Sequence, residues 1–97
     1  MVVFDETIIE KLPPYCKKTY NKLVKEIDNH EFDDFAIYTA KNILYNAITH
    51  QSEMSFMVAL NEGLRTYLNS DNRTEEQVTN MKLLISDWTL IHSNAIH

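Results

Sequence analysis

The sequence predicts an all-α protein: a small antiparallel four-helix bundle with a short extra helix at its N-terminal end. Three observations lead there. Four segments repeat apolar residues at steps of three and four, the period of a helix with one buried stripe. The 97 residues include one glycine and two prolines, too few turn-formers for a chain built on tight β-turns. The segment starts also carry Ser, Thr or Asp where a helix needs its first amides capped. Residues 1–97 read as a single domain, with helices over about 5–12, 14–29, 33–51, 53–68 and 75–95.

The last helix is the most strongly specified. Thr74 and Gln77 have capping-box spacing, in which each side chain takes or gives a bond to the other's amide. Glu75 and Glu76 follow in the first turn, where the helix dipole favours negative charge. Val78, Met81, Leu84, Ile85, Trp88, Ile91 and Ala95 then trace one stripe, with Trp88 as the largest core residue.

The other helices follow from similar signals. Asp5 is placed to cap the first, which Pro13 ends because the residue before a proline avoids the α region. Pro14 suits the first turn of the second, whose buried face is Cys16, Tyr20, Leu23, Val24 and Ile27. Asp33 caps the third, with Phe32 and Ile37 at staple spacing and small residues Ala36, Ala40 and Ala47 on the inner face. Ser52 or Ser55 starts the fourth, with Phe56, Met57, Leu60, Leu64, Tyr67 and Leu68 as its core set. Gly63 in its middle costs about 1 kcal/mol against alanine, which a close helix crossing would justify.

A hydrophobic content of 44% is ordinary for a folded chain and argues against disorder. Lone Cys16 excludes an intrachain disulfide and cysteine-based zinc sites. The opening Met-Val-Val-Phe-Asp-Glu has neither the basic start nor the apolar run of a secretory leader, and charges interrupt every apolar stretch. The expected location is the cytoplasm, and the Asn72-Arg73-Thr74 glycosylation match is read as accidental.

The chemistry-bearing residues do not assemble a catalytic motif. Gly63 alone cannot form a phosphate-cradling loop. His30, His50, His92 and His97 include no pair at the three- or four-residue spacing of helical metal ligands, so no metal and no cofactor is expected. Cys16 falls on an apolar face, where a free cysteine packs as a small hydrophobe. The run from Glu26 to Asp34 lacks the central glycine and distal glutamate of a calcium loop. The chain reads as a non-enzyme.

Charge points to binding instead. The net charge is −5, yet Lys11, Lys17, Lys18, Lys22 and Lys25 form an uninterrupted positive stretch. From Glu26 onward eleven acidic residues stand against four basic ones. Five of those acids fall between Glu26 and Asp34, more than helix capping requires. Glu26, Asp28, Glu31, Asp33 and Asp34, with Phe32 as an aromatic anchor, are the expected partner-binding residues, steering a basic protein such as a toxin or a nucleic-acid-binding target. The alternative interface is the basic face of Lys17, Lys18, Lys22 and Lys25, as a nucleic-acid-binding regulator or a subunit of a larger helical assembly. An acidic body and the absence of arginine from that helix weigh against base readout. A homodimer is compatible with the sequence, and a membrane is not an expected partner.

In size, acidity and helical form the chain resembles the immunity proteins that protect bacteria from bacteriocins, and small phage-encoded inhibitors. The Tyr-Tyr-Pro signature of the nuclease-colicin immunity proteins is absent, so the resemblance is one of form and carries over no residues. It implies an inhibitor or neutraliser of another protein, an antitoxin-like role.

Overall fold

In the computed structural model the described residues are 3–51, 54–70 and 73–96, with side chains described as far as Asn94. Their regular elements are α1 (Thr7–Glu10), α2 (Pro14–Val24), a 3-10 turn (Lys25–Asn29), α3 (Asp34–Thr49), α4 (Phe56–Leu68) and α5 (Glu75–Ile96). All of these are helical, and the five α-helices pack together around one cluster of buried apolar residues. Ser52, Glu53, Asn72, His97 and the side chain of Ala95, all used in the sequence reading, lie outside what is described.

Each helix begins where the local chemistry requires. The Asp5 carboxylate accepts bonds from the Thr7 hydroxyl (2.6 Å) and amide (3.0 Å), which holds it below its ordinary pKa. These bonds lie just before α1, whose N-cap position is taken by Glu6 without a side-chain cap bond, and the helix is a single turn that ends at Glu10 rather than reaching Leu12. Pro13 is extended, with ψ of 151°, and Pro14 opens α2. Asp33 caps α3 through the Ala36 amide at 2.8 Å, and Ser55 caps α4 through the Val58 amide at 3.2 Å. The Thr74–Gln77 box closes in both directions, at 2.9 and 3.1 Å.

The second helix is the main departure in boundaries. It does not run α-helical to Asn29 but tightens into the 3-10 turn at Lys25. A 3-10 ending satisfies last-turn carbonyls with shorter-range bonds, as the His30 amide does with the Ile27 carbonyl at 3.2 Å. Tyr20, Leu23 and Ile27 are buried in this arrangement too, so apolar periodicity could not distinguish the two. Cys16 and Val24, expected on the buried face, are half-buried.

α3 is the central wall, packed against α2 on one side and α4 on the other. Its alanines Ala36, Ala40 and Ala47 are almost wholly buried. On α4, Phe56, Leu60 and Tyr67 are buried, but Met57 is 51% exposed and Leu68 36%, so these two are not core. Gly63 meets Ile43 where the helices cross: a β-carbon there would lie 2.8 Å from both γ-carbons of Ile43. α5 packs on α4 and on the 3-10 turn, burying Met81, Leu84, Ile85 and Trp88. The Trp88 indole N–H donates to the Leu23 carbonyl at 2.7 Å, tying α5 to α2 inside the core. Among the described residues no helix is long and apolar enough to cross a membrane.

Candidate protein-binding surface

The acidic stretch from Glu26 to Asp34 is divided by the fold into structural and unpartnered acids. Glu26 lies in the 3-10 turn, where its carboxylate accepts from the Asn29 side chain at 3.0 Å. Asp33 is committed twice, to the Ala36 amide and to the Gln77 side-chain amide at 3.1 Å. Phe32 is half-buried against the core, its ring 5.6 Å from that of His30. Its ring is thus partly committed to packing and partly exposed. His30 in turn sits 3.1 Å from an Asp87 carboxylate oxygen, which straps the segment to α5. What is left for an outside partner is Asp28, Glu31 and Asp34, exposed and with no carboxylate partner among the described residues.

Tertiary structure adds acids that sequence proximity did not suggest. The Gln77–Asp33 bond holds the first turn of α5 beside the first turn of α3. Glu31, Asp33 and Glu76 thereby line one shallow depression, with Glu75 next to it in the same helical turn. Glu75 and Glu76 were legible only as dipole-compensating residues, since nothing local announces that two helix starts lie side by side. The charges are spread over a surface rather than focused, and no group of three or more His, Cys, Asp or Glu able to hold a metal occurs among the described residues.

The lysine face is distinct from this end. Lys17 pairs with Glu10 at 3.3 Å. Lys18, Lys22 and Lys25 have no ion pair among the described residues and line a shallow hollow with Lys17. Glu6 instead serves Lys41, at 2.7 Å, and accepts from the Tyr20 hydroxyl at 3.4 Å. Burial, reinforced by the Glu6 charge, pushes the Tyr20 hydroxyl above its ordinary pKa, so it acts as a neutral donor. His92 packs against Phe56 with ring centroids 4.3 Å apart.

Another hollow lies between α3 and α4. It has a volume of about 560 Å³ and its α3 side runs from Phe35 to His50. Phe35, 42% exposed, stands beside Asp34 at the acidic end. The Arg73 guanidinium lies 4.6 Å from the Phe35 ring centroid and 5.4 Å from that of Tyr67. The Tyr67 hydroxyl is buried with no hydrogen-bond partner among the described residues. No protein-family model, curated protein or solved structure matches this chain.

Proposed function

We propose that this chain is a small acidic protein-binding module that inhibits or neutralises a basic protein in the cytoplasm, with no catalytic activity of its own. In this reading α2 to α5 form an antiparallel four-helix bundle with α1 across one end, and the bundle presents its acidic end to the partner. The observation that supports the reading is that the Gln77–Asp33 bond brings the first turns of α3 and α5 together, so that exposed Glu31 and Glu76 line one depression, with Asp34 and Glu75 as their neighbours in those turns. Two caps need two side chains, and here Asp33 and Thr74 supply them. The remaining like charges repel one another, a cost that an attracted basic partner offsets. Charge complementarity across such a surface speeds association and loses that advantage as salt rises.

The test is a variant with Glu31, Glu75 and Glu76 changed to Gln and Asp34 to Asn, leaving the Asp33 cap intact. Association with a partner co-purified from the native host is followed by stopped flow at several salt concentrations. The expected result is at least about a tenfold slower association at low salt with dissociation little changed. An unaltered association rate in the folded variant overturns the reading.

A second reading draws on the unpaired Lys18, Lys22 and Lys25: contact with nucleic-acid phosphates. It is favoured instead if the protein binds duplex DNA with a steep salt dependence and loses that binding when these lysines and Lys17 become Gln.

A further inference from the structure

We infer that the outer face of α2 and the hollow between α2 and α5 form a site for a single strand of nucleic acid, with phosphates on the lysines and an unpaired base on Tyr15. This goes beyond the acidic-end reading. It rests on the reading of Lys18, Lys22 and Lys25 as phosphate contacts, and it names the form of nucleic acid they meet.

Two shallow hollows share a border. One is lined by Lys17, Lys18, Lys22 and Lys25 together with Pro14 and Asn21. The other, of about 340 Å³, lies between α2 and α5, with Tyr15, Leu23, Ile91 and His92 around it. Lys18 and Lys22 line both. Their spacing explains this: Lys18, Lys22 and Lys25 follow at steps of four and three, so they stand on one face of α2. Tyr15 precedes Lys18 by three residues, which puts its ring at the N-terminal end of the same row.

The charges in this row are available. Lys17 is held by Glu10 at 3.3 Å. Lys18, Lys22 and Lys25 are exposed and have no ion pair among the described residues. No described carboxylate lines either hollow, so nothing there repels an anion. From Lys18 to Lys25 the helix rises about 10 Å. One strand presents about three phosphates over that distance, at about 3.4 Å each.

The aromatic ring selects a single strand over a duplex. Tyr15 is 69% exposed, and its ring meets no other ring among the described residues. Leu23 and Ile91 give the adjoining hollow an apolar wall. In a duplex the base faces are stacked on one another and closed to a side chain. In a single strand a base has a free face, and an aromatic ring beside a basic groove is the platform on which such bases stack. Stacking tolerates any base, because every base has a π-face. It therefore needs no guanine-reading arginine, and α2 carries none.

The probes are fluorescent oligothymidine and oligouridine strands of about ten nucleotides, with a DNA duplex of the same length. Anisotropy is followed over a range of salt concentrations on the original protein, on Tyr15→Ala and Tyr15→Phe, and on a variant with Lys18, Lys22 and Lys25 changed to Gln. All four positions are exposed, and circular dichroism verifies folding. Binding of either strand supports the site, and their order tells DNA from RNA. Tyr15→Ala is expected to weaken strand binding at least about fivefold with its salt dependence unchanged, and Tyr15→Phe to restore it. Duplex binding is expected to be the same in both Tyr15 variants as in the original. The lysine variant is expected to lose strand and duplex alike, its salt slope falling by about 2. If Tyr15→Ala binds strands like the original while the lysine variant does not, the stacking site fails and the phosphate reading stands. If Tyr15→Ala weakens strand and duplex equally, Tyr15 selects nothing and the inference fails. If no strand binds, or the lysine variant binds like the original, the site and the phosphate reading fail together.

Discussion

Two helix seams treat their aromatic polar tips in opposite ways. Where α5 meets α2, Trp88 is fully buried and its one donor is spent on the Leu23 carbonyl at 2.7 Å. Where α4 meets α3, Tyr67 is equally buried but its hydroxyl bonds to nothing among the described residues. There Gly63 packs so closely on the Ile43 side chain that an added β-carbon would have to displace it, yet a long hollow opens along the same seam. One seam is fastened in the core by that bond, with a smaller hollow of about 340 Å³ beside it. The other is pinned at a single crossing and left open along much of its length.

The comparison predicts unequal responses to substitution. Trp88→Ala removes the largest side chain of the α2–α5 seam and its bond to the Leu23 carbonyl. It should cost about 3–5 kcal/mol, enough to unfold a domain whose total stability is about 5–15 kcal/mol. A chemical-denaturation midpoint near the original would show that this seam is not where stability resides. Gly63→Ala tests the pinned crossing. Helix propensity alone would reward the change by about 1 kcal/mol. The contact with branched Ile43 opposes it, and overpacking typically costs about 1–3 kcal/mol. A net loss of about 0–2 kcal/mol is expected, and a gain in melting temperature would mean the helices separate there without penalty. The smallest effect belongs to Tyr67→Phe. Deleting a buried hydroxyl with no partner should leave stability unchanged or raise it by up to about 1 kcal/mol. A clear loss would reveal a partner and remove the contrast between the seams.

The parts of this architecture that were legible in the sequence are those set by near neighbours. The Thr74–Gln77 box, the Asp33 cap and the Met81–Trp88 stripe each depend on residues within two turns, and all formed. Gly63 was readable as a crossing because a mid-helix glycine needs a reason. Long-range relations were not readable. Phe32 had both a staple and an anchor reading, and the packing shows it half-buried against the core while Phe35, three residues on, is exposed. Met57 fits an apolar stripe by spacing, but the neighbouring helix does not cover it. The union of the α3 and α5 starts depends on Asp33 and Gln77, forty-four positions apart.

That last bond couples two pieces of backbone in time as well as in space. The Gln77 carboxamide spends its oxygen on the Thr74 amide and its nitrogen on Asp33, which itself caps Ala36. A fluctuation that swings this one side chain away weakens the beginnings of both helices at once. Helix ends ordinarily fray independently and exchange their amide hydrogens at unrelated rates. The shared Gln77 link predicts that the amides in the first turns of α3 and α5 exchange at related rates.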